Sequence, residues 1–220
     1  MSHTALATDG LSARQTYRLL TSLVVPRPIA WVSTVGADGA RNLAPFSYFQ
    51  AVCSRPATVM LSLGWRSDGR PKDTLRNILD TGEFSISLVD PPLADAMHRT
   101  SNDLPPGTSE WDLAKVRPAP GRTVGAPHVA DASAALECRL SHALPMGRGR
   151  GGGPSVTVVF GRVTCVLVRS DLVLTDEAGR PVGVDAAGIR PVGRLGGAAY
   201  TSTDDRFDLP RTPEEEGGGA

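Results

Sequence analysis

Three segments between residues 26 and 78 carry side chains of the kinds that grip a flat heterocycle and a phosphate. The first, Pro-Arg-Pro-Ile-Ala-Trp-Val-Ser-Thr at 26–34, ends in the hydroxyls of Ser33 and Thr34. The second, Asn-Leu-Ala-Pro-Phe-Ser-Tyr-Phe at 42–49, presents the Asn42 amide, Ala44, Pro45, Phe46 and the Ser47 hydroxyl. Hydroxyls and an amide beside exposed backbone suit the polar edge of a ring. Ordinary turn chemistry explains Ser and Asn there equally well. Phe46, Tyr48 and Phe49 cluster in a chain that is only 5% aromatic, so they either wall a planar ligand or fill the core. The third segment, Lys72-Asp73-Thr74, stands before a helix. A helix start offers free N–H groups and partial positive charge to a phosphate, and Lys72 with the Thr74 hydroxyl would add charge-assisted bonds. The same triplet also reads as a plain cap with one exposed lysine.

Other chemistries find less support. The run Gly-Arg-Gly-Arg-Gly-Gly-Gly at 147–153 lacks the Lys-Ser/Thr of a phosphate-cradling loop. The stretch at 193–197, Gly-Arg-Leu-Gly-Gly, does not open a βαβ unit, so it is no dinucleotide fingerprint. His3, His98, His128 and His142 show no metal-ligand spacing, and no metal site is expected. No Gly-x-Ser-x-Gly elbow is present, and no side chain is nominated as a catalytic acid, base or nucleophile.

Composition narrows the class. Lys plus Arg and Asp plus Glu are 23 each, which gives no steering towards nucleic acid. No stretch approaches the roughly 20 apolar residues of a membrane helix. The N-terminus has no basic region leading into an apolar core, so a cytoplasmic protein is expected. Cys53, Cys138 and Cys165 are widely separated and are expected as small buried hydrophobes in a reducing compartment.

The elements that must position these residues follow from patterning. Residues 1–12 read as a flexible tail, then a helix at 13–22 capped by Ser12, with Leu19, Leu20 and Leu23 towards the core. Pro26 and Pro28 stop it. A strand at 29–35 turns through Gly36-Ala-Asp-Gly39 into a second at 41–43, and 58–63 forms another. A helix at 74–81, capped by Asp73 or Thr74, ends at Gly82 and precedes a strand at 84–89. A helix is expected at 91–97 and a polar, Pro-rich excursion at 100–120. Strand character resumes at 134–143, a flexible connection covers 148–153, and a long strand fills 156–168 with a bulge at Gly161. Many strands at short spacing with brief helices predict a mostly-β barrel in one domain, 13–205, with a disordered tail at 206–220.

Taken together, several of these segments resemble the flavin reductase-like family of FMN-binding split barrels. They are Tyr17 through Thr34, Asn42 through Phe49, Lys72-Asp-Thr-Leu-Arg-Asn-Ile, Thr81-Gly-Glu-Phe with Ser85-Ile-Ser-Leu-Val, Ala134-Ala-Leu-Glu-Cys-Arg-Leu and Arg194-Leu-Gly-Gly-Ala-Ala-Tyr. The resemblance implies a six-stranded split β-barrel that forms a homodimer with one FMN near each subunit interface. It implies Ser33 and Thr34 beside the flavin, Asn42, Ala44, Pro45, Phe46 and Ser47 along the ring, and Lys72, Asp73 and Thr74 on the phosphate. Arg194 is a further flavin-side residue on the motif alone. The implied activity is an FMN-dependent NAD(P)H oxidoreductase, foremost a flavin reductase. NADH or NADPH would donate hydride, and a flavin-dependent monooxygenase would be the partner. The alternatives are a flavoprotein with tightly held FMN acting on a small organic substrate, or a non-catalytic electron carrier. The glycine-rich segment 147–153 and the excursion 100–120 are where the chain departs from the family pattern.

Overall fold

The computed structural model describes residues 1–102, 104, 109–149 and 152–209. Ser12 accepts from the Gln15 amide while Gln15 Oε1 accepts from Ser12 N, a reciprocal cap that starts α1 (Ala13–Leu23). The helix lies over the surface. Thr21 is its buried residue, whereas Leu20 and Leu23 are 49% and 76% exposed, against the expectation that both face the core.

After the two prolines the chain enters β1 (Ala30–Val35), turns through Gly36–Gly39, and returns as β2 (Arg41–Phe46). Gly39 sits at φ +81°, where a side chain would be strained, and its N–H closes the turn onto Gly36 O. Two further strands follow, β3 (Phe49–Ser54) and β4 (Ala57–Gly64). Then come α2 (Asp73–Thr81) and β5 (Glu83–Ser87). Next come α3 (Ala94–Arg99), where a helix was expected at 91–97, and α4 (Glu110–Ala114) within the excursion, before the long pair β6 (Ala134–Met146) and β7 (Val156–Val168).

These strands form one antiparallel sheet in the order β2-β1-β5-β6-β7-β4-β3. Its two edge strands, β2 and β3, are separated in sequence by Ser47 and Tyr48 alone. A sheet whose opposite edges are joined by two residues must curl until those edges meet, so it rolls into a barrel left open along one seam. The split-barrel architecture is as expected, and its sheet counts seven hydrogen-bonded strands instead of six. The strand not foreseen is β3, in the aromatic loop's continuation. Short ladders complete the fold, one of them pairing Arg27–Pro28 with Gly193–Arg194.

Side chains alternate across β1. Ala30 and Val32 join Leu61, Leu63, Phe84, Ile86 and Val159 inside the barrel, where Leu75 and Ile78 of α2 close one end. Trp31 points the other way, into a second core with Leu43, Met97, Trp111 and Val129. Trp111 belongs to α4, so the Pro-rich excursion returns a helix and a buried anchor to the sheet. The expected bulge is present at Gly161, where an added Cβ would overlap the Phe84 ring. Cys138 is buried as expected, Cys165 is partly covered, and Cys53 is exposed. Among the described residues no helix is long and apolar enough to cross a membrane. The expected disorder at 206–220 falls mostly outside the described residues, and the glycine-rich segment partly so.

Candidate functional site

Strand β2 and the start of α2 face each other across a cavity of about 570 Å³. Asn42, Ala44, Pro45 and Phe46 line it from the strand, and Lys72, Asp73 and Thr74 from the helix. The cavity lies well inside the size range of small-molecule sites. Arg66, Arg70 and Arg76 add three guanidinium groups to its wall.

The helix start is built to stay open. Lys72 is the N-cap residue and no side chain caps the helix, so neither Asp73 nor Thr74 acts as the cap expected from sequence. The physical reason is that both have other work. Asp73 bridges Arg66 at 2.6 Å and Arg76 at 2.8 Å, aligning two cations along the cavity. Thr74 Oγ1, in a buried residue, accepts from Asn42 Nδ2 at 2.8 Å and so clamps α2 to β2. The first amides of α2 therefore have no side-chain cap, and the helix dipole at this end favours an anion. Arg70 is held by Asp68 at 2.7 Å, whereas Lys72 makes no ion pair among the described residues.

Ser33 and Thr34 line neither this cavity nor the one beside it. Both are fully buried, and as neighbours on a strand they point to opposite faces, so they cannot share one ligand edge. Thr34 Oγ1 accepts from Asn77 Nδ2 at 3.0 Å, a second clamp between the sheet and α2. The Ser33 hydroxyl is buried without a hydrogen-bond partner among the described residues. Thr34 thus ties the strand to the helix that carries Lys72, Asp73 and Thr74.

A second cavity, about 590 Å³, adjoins the first across the shared walls of Pro45, Phe46 and Ser101. Ser47 and Arg194 line this one. The expected set therefore divides: seven residues meet in the first cavity, and Ser47 and Arg194 stand in its neighbour.

Glu110 is a cavity residue that sequence reading passed over, because it sits in the polar excursion. Its half-buried carboxylate accepts from Leu43 N at 3.4 Å. Burial pushes this carboxyl above the ordinary carboxylate range, and Asp73 pushes it the same way. The N–H groups of Glu110 and Leu43 oppose the shift. No group of three or more His, Cys, Asp and Glu suited to a metal occurs among the described residues.

The donor set fits a flavin mononucleotide: an open helix start with cations for the phosphate, and a strand with an amide, a proline and an aromatic ring for the flat system. Comparisons with known proteins place the chain among flavin-related oxidoreductases. A sequence model described as flavin reductase like domain matches residues 22–183. An uncharacterized protein of Deinococcus radiodurans is 43% identical over 216 residues, covering 96% of this chain and 91% of that protein. Nitrilotriacetate monooxygenase component B from Bacillus cereus superposes with a TM-score of 0.85 at 33% identity, covering 95% of this chain and 100% of that one. A 2-nitrobenzoate 2-nitroreductase from Pseudomonas fluorescens superposes at 0.84 with 30% identity, covering 98% and 100%.

Proposed function

Because this chain belongs to the flavin reductase-like family, we propose that it is an FMN-dependent NAD(P)H oxidoreductase, foremost a flavin reductase serving a partner oxygenase. The observation that carries this reading is the uncapped start of α2, set with Lys72 in the same cavity as Phe46. Lys72 and the first amides of α2 hold the phosphate, and Asp73 keeps Arg66 and Arg76 turned towards it. Asn42, Ala44, Pro45 and Phe46 receive the ring, with Ser47 at its far edge beside the second cavity. Thr34 and Thr74 position α2 through Asn77 and Asn42. Bound FMN supplies the hydride-accepting chemistry, so the protein's task is binding, orientation and exclusion of water. That division of labour explains why no catalytic acid or base need be named.

The partner oxygenase is favoured by the likeness to a protein described as component B of a monooxygenase. A second reading, tightly bound FMN acting directly on a small organic substrate, is favoured by the adjoining second cavity and by the likeness to a 2-nitrobenzoate 2-nitroreductase. We further propose a homodimer working in the cytoplasm, where the exposed Cys53 thiol would stay reduced. Stopped-flow mixing of the FMN-saturated protein with NADH and with NADPH tests the central claim. Bleaching of the flavin absorbance by either, followed by reduction of added free FMN, is expected. Persistence of oxidised flavin with both donors would sink the reductase reading and leave the electron carrier.

A further inference from the structure

The second cavity has a charge pattern that the flavin does not explain. Arg14, Arg18, Arg27 and Arg194 line it, and no carboxylate does. None of the four forms an ion pair among the described residues. Arg27 is the most telling, being only 5% exposed. Its guanidinium donates to Thr21 O at 2.7 Å, Val24 O at 3.0 Å, Leu195 O at 3.0 Å and Ser47 Oγ at 3.5 Å, all of them neutral. Such dipoles solvate a buried cation without cancelling its charge, and buried charges are ordinarily paired. The Arg194 guanidinium carbon lies over the Tyr200 ring, 4.3 Å from its centroid, and the Tyr200 hydroxyl lies 3.3 Å from His98 Nδ1.

Tyr17, Ile29, Phe46 and Met97 supply apolar and aromatic wall, interleaved with the polar side chains of Thr21 and Ser101. The cavity therefore suits a ligand with a flat apolar body and one anionic group. A carboxylate fits better than a phosphate. The feature that favours phosphate, an uncapped helix start, belongs to the first cavity, whereas the α1 start beside the second is closed by its own Ser12–Gln15 cap. We infer that the second cavity binds a small aromatic carboxylic acid, its carboxylate gripped by the α1 arginines and its ring laid beside Phe46. This rests on reading the first cavity as the flavin cradle, and it makes an aromatic acid the substrate or effector that meets the flavin ring.

Calorimetric titration of the full-length protein with benzoate, benzamide and phenyl phosphate tests the inference, with FMN binding followed in parallel by flavin fluorescence. Arg14 and Arg18 are exposed on α1, so the double variant Arg14→Gln, Arg18→Gln should fold normally. Benzoate is expected to bind at least about tenfold more tightly than benzamide, and to lose about tenfold or more in the double variant. Equal binding of benzamide, or benzoate affinity unmoved in the variant, overturns the site. Tighter binding of phenyl phosphate than of benzoate overturns the carboxylate assignment in favour of a phosphoryl ligand. Protein that binds benzoate without FMN upholds the acid site and removes the flavin reading. Protein that binds FMN without benzoate does the reverse.

Discussion

Lys72 differs from the other cations of the first cavity in having no carboxylate to hold among the described residues: Arg66 and Arg76 share Asp73, and Arg70 is taken by Asp68. Its charge is free for a phosphate, so Lys72→Met should weaken FMN binding about tenfold or more, read by fluorescence quenching. Glu110 gives a pH signature at the same scale. Its carboxyl is raised above the unfolded value, chiefly by burial, so the folded chain binds the proton more tightly than the unfolded one does. Stability from this group is full below the unfolded carboxylate range and is lost as pH climbs through the raised value. Melting temperatures measured across acid to neutral pH should show Glu110→Gln gaining on the parent as pH rises. A constant difference across that range would show that Glu110 is not buried as described. Lys72 was legible because a lysine at a helix start has a local physical reason to be there. Ser33 and Thr34 were grouped by residue type, and the two-residue period of a strand, which turns such neighbours to opposite faces, separates them. Glu110 was hidden because its importance comes from a partner 67 positions away, Leu43.

At the scale of elements, sequence reading succeeded where one physical rule dominates and failed where tertiary packing decides. The strand 156–168 carries a long pattern rich in β-branched residues and appears with those bounds, bulge included. The bulge has a cause the sequence could only hint at: Gly161 lies against Phe84 and Cys138 in the barrel core. Gly161→Ala should therefore destabilise by about 1–3 kcal/mol through overpacking, seen as a lower denaturant midpoint. An unchanged midpoint would mean the ladder can shift to make room. The strand Phe49–Ser54 escaped notice because its outward face is exposed and lacks the burial that gives strands their alternation. The helix Glu110–Ala114 escaped because five residues amid prolines carry little helical signal, and the buried Trp111 and Ala114 fix them to the second core. The loop 121–126 is fastened in a comparable way. The buried Glu137 carboxylate accepts from Arg122 N, Thr123 N and Thr123 Oγ1, each at 2.6 Å. Glu137→Gln sets an amide N–H₂ against donors and should cost about 2 kcal/mol, with faster proteolysis in that loop as its local readout.

For the whole molecule, the surface carries apolar groups that a lone barrel leaves in water. Leu20, Leu23, Val24 and Val25 form an exposed run from the end of α1, and Tyr17 stands one turn earlier. The pattern Leu19, Leu20, Leu23 was read as a core-facing stripe, and its amphipathic signal was sound. What the chain alone cannot indicate is whether such a stripe meets its own core or a second copy. The exposed run lies on the same helix as Arg14 and Arg18, so a partner covering it would also narrow the mouth of the second cavity. The sheet adds its own reason for pairing, since β2 and β3 are edge strands and edges invite a cover. Light scattering is expected to give twice the chain mass of 23.1 kDa. The variant Leu20→Glu, Leu23→Glu changes only exposed positions, so it should leave the barrel folded by circular dichroism while shifting the mass to that of one chain. A variant that stays dimeric would place the interface elsewhere, on the sheet face where Val52 and Val166 are also exposed. A monomeric parent that still holds FMN fully would show that the cradle between β2 and α2 is complete within one chain.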